Sequence, residues 1–297
     1  MPVRKQLIRE TFDWTMQFAL PRRHLKYISY LIYTEMEQDY IAIVIDLEFI
    51  GEKDDFEHAA IWEIAAVAND VHFTSLCYPV GVNVPLPPQY SPYFKITRQW
   101  LKANAAVAKE NTIKLFFDFL EAARVAEKAN RIVLTSHGCF KSDQIVLENE
   151  ARRLGVPLPK NLFFYDTLPL FRQLFKKAAS YDLCSLYSSL MGEESVTQKH
   201  RAADDVEMLS ACLNMVYKEK FKVDGVMVPA GSRSLQSLNG VGTATEALFV
   251  AQGICTVEQL VSRLTAAKAT KGASLRKLLE LWKISPKVEK IVNTVIN

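Results

Sequence analysis

The stretch that most constrains this chain is Ile41-Ala42-Ile43-Val44-Ile45-Asp46-Leu47-Glu48-Phe49-Ile50. A β-branched run, apolar at nearly every position, is what a strand covered on both faces requires. Such a strand belongs inside an α/β sheet. Yet two acids interrupt its carboxyl end, and residues two apart on a strand project from one face. Asp46 and Glu48 are therefore expected side by side, where open α/β sheets present their ligands. Two ionised carboxylates so close repel, which raises the proton affinity of one unless a cation lies between them. Taken alone, such a pair is more often solvated than metal-bound.

Further strands and helices surround this one. Ile61 to Val67 reads as a neighbouring strand, helical spacing dominates 111–129, and Arg131 to Ser136 is a third buried run. A helix is expected from Asp143 to Leu154, stopped by Gly155 and Pro157. Leu162 to Asp166 is a short strand, and 182–191 and 201–217 read as helices. Strands alternating with helices imply an α/β sheet. Ahead of it, residues 1–38 form an extension in which Leu7, Ile8, Phe12, Met16, Ala19 and Leu20 keep helical spacing until Pro21. A linker rich in Gly, Pro and Ser begins at 223, and 235–297 is mostly helical.

Composition excludes several classes. Hydrophobic residues make up 49% and charged residues 23% of the 297, a globular balance and not that of a disordered or fibrous chain. No uncharged apolar run reaches the roughly 18 residues of a membrane helix. The start of the chain lacks an apolar segment of the secretory kind, and the five cysteines form no C-x-x-C pair. The expectation is an intracellular protein, nuclear or cytoplasmic, with reduced thiols and no membrane partner. Net charge is +3, unevenly spread: Lys and Arg outnumber Asp and Glu twelve to six from residue 218 onward. That asymmetry suits a basic accessory module.

Two later segments change how Asp46 and Glu48 are read. In Ser136-His137-Gly138-Cys139-Phe140-Lys141-Ser142-Asp143, a strand ends, turns through glycine and delivers an acid at a helix start. In His200-Arg201-Ala202-Ala203-Asp204-Asp205, a His and an Asp five apart open an alanine-rich helix. Each alone is ordinary, since Asp is a common N-cap. The order Asp-x-Glu, Asp, His-x-Ala-x-x-Asp resembles the DEDDh branch of the 3′–5′ exonucleases, the DnaQ-like superfamily. Trp62 to Val67 is similar to that family's second strand, and Tyr165-Asp166-Thr167-Leu168 to another of its strand ends. Tyr181 to Tyr187 is similar to the helix that precedes its catalytic histidine, and the gap from His137 to Asp143 is most like the three-prime repair subgroup. The resemblance spans about 39–217.

It implies a ribonuclease H-like mixed sheet flanked by helices at 39–222, with a small all-α domain at the carboxyl end. It also implies a metal-dependent 3′–5′ exonuclease that releases nucleoside monophosphates from DNA ends, single-stranded or at duplex termini, with RNA as an alternative substrate. Asp46, Glu48, Asp143 and Asp205 would hold two Mg²⁺ ions, with Mn²⁺ able to substitute, and hard Mg²⁺ prefers such oxygen ligands. His200 would act as general base, for which an ordinary imidazole pKa is suited at neutral pH. Leu47 and Phe49 would line the terminal-nucleotide pocket. Two departures bear on specificity: Ile50-Gly51 stands where the family has Thr-Gly, and His137-Gly138 where it has His-Asn. Asp204 beside Asp205 offers a second register, and the family spacing selects Asp205.

In the tail, Ser234 to Thr245 resembles a helix-hairpin-helix motif, with Gly240-Val241-Gly242 as its hairpin. Backbone N–H groups at such a turn suit phosphate. An exonuclease-like domain followed by a Ser-Leu-Gln helical tail is also similar to the exonuclease-like region of the promyelocytic leukaemia protein. Two other functions remain open to the sequence: a non-catalytic nucleic-acid or protein-binding module on a nuclease fold, and an RNA-trimming enzyme with the same site.

Overall fold

The first strand, β1 (Tyr40–Ile50), is the axis of a six-stranded mixed sheet. The computed structural model describes residues 39–51, 55–78, 98–104, 109–192, 196, 200–218, 221, 223, 225–238, 240–271 and 279. The chain divides into two units, Met1–Asp39 and Tyr40–Asn297, and every described residue except Asp39 belongs to the second. The expected amino-terminal helix lies outside the described residues.

From β1 the chain passes to β2 (Ala60–Ala68) and β3 (Val71–Leu76), then to α1 (Arg98–Asn104) and α2 (Lys109–Ala126). Next come β4 (Arg131–Ser136), a 3₁₀ turn at Cys139–Lys141, α3 (Asp143–Leu154), β5 (Leu162–Asp166) and α4 (Thr167–Leu174). Helices α5 (Leu183–Met191) and α6 (Ala202–Tyr217) follow, then the short β6 (Val228–Pro229). The order across the sheet is β3-β2-β1-β4-β5-β6. Strands β1, β4 and β5 run parallel, while β2, β3 and β6 pair antiparallel to their neighbours. This is the ribonuclease H-like arrangement, with helices on both faces.

The alternation along β1 sorts its side chains between two cores. Ile41, Ile43, Ile45 and Leu47 pack with Ile113, Phe116 and Leu120 of α2 and with Val146 and Leu147 of α3. Val44 joins Ala65 and Val67 of β2 against Leu170 and Phe171 of α4, Leu186 of α5 and Val206 and Leu209 of α6. Asp46 and Glu48 continue the row that Val44 begins, so they face the side covered by α6. The last β1–β4 pair is Val44 with Thr135, so both acids extend past the end of that ladder.

Three elements differ from what periodicity alone suggests. Strand β3 is an edge strand with exposed Val71 and His72, so it shows no continuous apolar run. Helix α4 contains Pro169 in its first turn, where the missing N–H costs nothing. The segment read as a linker supplies β6, which lies along β5 through Phe164–Val228 and Phe163–Pro229. Beyond it, Leu235, Leu238, Val241, Phe249, Val257, Leu260 and Leu264 form a separate core around α7 (Thr243–Val250) and α8 (Val257–Lys271). In α7, Leu248 is exposed and Phe249 is the residue buried in this core.

Candidate metal centre and active site

Carboxylate oxygens of Asp46, Glu48 and Asp205 lie within 4.8 Å of one another. Strand β1 supplies the first two, and α6 delivers Asp205 one turn after its start, where Asp205 N–H donates to Arg201 O at 3.0 Å. Both carboxylates of β1 point at this helix because β1 alternates without interruption as far as Glu48. The one register shift in the β1–β2 ladder follows, between Glu48 and Phe49. Burial, followed by the charges of Asp143, Glu48, Asp205 and Glu63, pushes the Asp46 carboxyl well above its ordinary value. A divalent cation held among the three carboxylates would remove this repulsion.

Asp143 stands at the first position of α3, outside that group of three. Its Oδ2 accepts hydrogen bonds from Ser136 Oγ at 2.8 Å and Ser142 Oγ at 3.2 Å. Burial is the largest influence on this carboxyl and pushes it up to about 6, against the lowering effect of the two hydroxyls. The turn before it is built on Asp166. That side chain accepts from Gly138 N and Leu168 N at 2.9 Å each and from Phe140 N at 3.4 Å. It therefore caps α4 and ties down the loop that leads to Asp143. Gly138 has φ of +83°, a left-handed conformation that glycine adopts without strain.

His200 precedes α6, itself at a left-handed φ of +52°. Burial holds its imidazole below the ordinary pKa, so the neutral form prevails at neutral pH. The next residue, Arg201, reaches back to Glu63 of β2 with Nη2–Oε1 at 2.6 Å and Nε–Oε2 at 2.8 Å. Ala202 N–H donates to the same carboxylate at 3.1 Å. This clamp is not among the site residues expected from sequence. Its signal was legible: an acid amid the wholly buried β2 needs a cationic partner.

Leu47 is only 4% exposed and lies in the core on the face opposite the acids. Phe49 is half-buried and meets Phe56 edge-on, with ring centroids 5.8 Å apart. Gly51 has its own reason: a Cβ there would come within 3.1 Å of the Ala59 backbone. Gly240 has φ of +87°, and Gly242 caps α7, while Val241 is buried with its N–H bonded to Leu238 O at 3.0 Å. Of the three hairpin residues, Val241 belongs to the separate carboxyl-terminal core, while Gly240 and Gly242 are exposed. Among the described residues no helix is long and apolar enough to cross a membrane.

Residues 43–213 match the family described as Exonuclease. Among solved structures, a zinc-bound E. coli exonuclease I–single-stranded DNA complex aligns with a TM-score of 0.47 and 15% identity. That alignment covers 61% of this chain and 41% of exonuclease I, so the present chain corresponds to well under half of that protein. The nuclease domain of 3′hExo, a DEDDh family member bound to rAMP, aligns at 14% identity and a TM-score of 0.49, over 62% of this chain and 94% of that one. A 3′-exonuclease described in 3′-end-specific recognition of a histone mRNA stem-loop aligns at 14% identity and a TM-score of 0.49, over 69% and 77%. No curated protein matches the chain. With more than half of its length inside the family match, the chain belongs to the exonuclease family.

Proposed function

We propose that this protein is a metal-dependent 3′–5′ exonuclease that hydrolyses the terminal phosphodiester of DNA, with RNA as the alternative substrate, and releases nucleoside monophosphates. The observation that carries this is the convergence of Asp46, Glu48 and Asp205 at the carboxyl end of β1 and the start of α6. Asp143 stands at the first position of α3, just past the end of β4. These four carboxylates would hold Mg²⁺, or Mn²⁺ in its place. When bound, a pair of such ions stabilises the attacking and leaving oxygens of an in-line displacement.

The chain's own residues do the rest. His200, kept neutral by burial, takes the proton of the attacking water at a ring nitrogen. Ser136 and Ser142 hold one oxygen of Asp143 and leave its other oxygen for the cluster. Phe49 has ring surface to offer a terminal base, whereas Leu47 is committed to the core. In the tail, the hairpin at Gly240 and Gly242 holds the phosphate backbone of longer strands, aided by the surplus of Lys and Arg.

The direct test is degradation of single-stranded DNA and RNA labelled at either end, with Mg²⁺ or EDTA. A 3′ label should appear at once as mononucleotide, a 5′ label as a descending ladder, and both only with metal. Inert substrates, or cleavage indifferent to EDTA, would overturn the assignment.

A further inference from the structure

Glu63 is fully buried, at 0% exposure, and stands directly across the β1–β2 ladder from Glu48. Both face the side that α6 covers. A fifth carboxylate thus borders the metal cluster, and its charge is among those acting on Asp46. It is met directly by a cation of the protein's own. Arg201 grips both of its oxygens, a planar fork matched to a carboxylate. Helix α6 has no capping side chain of its own, and Glu63 serves that purpose from a strand 139 positions away by accepting from Ala202 N–H. The pinned residue lies between His200 and Asp205.

We infer that Glu63 and Arg201 are positioning residues of this site, with Arg201 acting as a fixed counter-charge. The pair keeps a fifth carboxylate out of the metal cluster and holds His200 and Asp205 in place against Asp46 and Glu48. The inference rests on the nuclease function proposed above. A pair that served stability alone would behave differently, because buried ion pairs are often replaceable without consequence beyond folding.

The test uses the full chain with Arg201→Gln, Glu63→Gln and the double substitution. Mn²⁺ binding is followed by the electron paramagnetic resonance of the free ion, alongside steady-state kinetics and melting temperature. Arg201→Gln unmasks the Glu63 charge beside Glu48, so Mn²⁺ should bind about 10-fold more tightly. Its kcat should nevertheless fall by about 10–100-fold, as for other outer residues of metal sites, with KM within about twofold. The double variant should return Mn²⁺ affinity to the parent's level and keep the loss in kcat. Unchanged Mn²⁺ affinity in Arg201→Gln, or an unchanged kcat per folded molecule, overturns the inference. If that variant does not fold, Arg201→Lys replaces it: the charge is kept and the fork lost, so Mn²⁺ affinity should hold while kcat drops about 10-fold, and an undiminished kcat overturns it. Should the parent degrade no substrate, the proposed function fails, and the Mn²⁺ titration decides by itself. A tightening in Arg201→Gln that the double variant reverses sustains the counter-charge, and no tightening ends it.

Discussion

Asp46 carries the electrostatic strain of the site, because burial and four neighbouring acids all oppose its ionisation. Replacing Asp46 or Asp205 with Asn should abolish nearly all nuclease activity while the melting temperature stays level or rises. Asp204→Asn should be far milder, and an equal loss there would show that the wrong aspartate of α6 had been assigned to the cluster. His200→Ala should lower kcat by ~10²–10⁴ with little change in substrate affinity, since a general base acts in the chemical step. A defect confined to binding would make His200 a substrate contact. The raised carboxyls also set a pH dependence. Asp143 keeps its proton up to about 6 in the folded protein but releases it near 3.8 when unfolded, so the native state binds more protons across that window. Metal-free stability therefore falls as pH rises through it and does not recover above it from this group. A divalent cation takes over from those protons, so Mg²⁺ should raise the melting temperature more at pH 8 than at pH 5. Equal shifts at both would disconnect these acids from metal binding.

Among the elements, the turn between β4 and α3 depends most on one side chain. Asp166 collects three backbone N–H groups from two segments, and losing a buried acceptor leaves its donors unpaired at ~1–3 kcal/mol each. Asp166→Ala should lower stability by roughly 2–4 kcal/mol in urea unfolding, and should weaken catalysis even where the protein remains folded, because the turn carries Asp143. A stable, fully active Asp166→Ala would show that the turn holds itself. Helix boundaries followed from local chemistry: α3 starts at Asp143 and stops where Gly155 adopts φ of +66°, as its sequence signals. Strand β3 was not legible in the same way. An edge strand satisfies only one face, and its exposed Val71 and His72 leave no periodic signature.

At the scale of the whole molecule, the tail is joined to the sheet as well as packed on its own core. Strand β6 extends β5, Gln144 Nε2 donates to Ser232 O at 2.7 Å, and Gly231 N–H donates to Glu148 at 3.0 Å. Removing 223–297 strips these contacts and should cause a large drop in melting temperature. Removing only 235–297 spares β6. That shorter deletion should leave cleavage of very short oligonucleotides nearly intact, weaken binding to long strands and flatten its salt dependence. Binding of long DNA that matches the parent across salt concentrations would assign the tail to structure or to a protein partner.

What the sequence determined by itself was local or pairwise: the doubly covered strand, the same-face pair Asp46 and Glu48, the acids at two helix starts, and the histidine ahead of α6. Their alternation and spacing are properties of a few consecutive residues, so they survive without knowledge of the rest. Tertiary structure alone decided which of these groups meet. It brought Asp205 to the two acids of β1 and tied the turn before Asp143 to Asp166. It also committed Leu47 to the opposite core, and drew Arg201 across 138 residues to Glu63. Those outcomes depend on strand order and helix packing, because burial, repulsion and ion pairing act through space, and only the closed sheet fixes which charges share it.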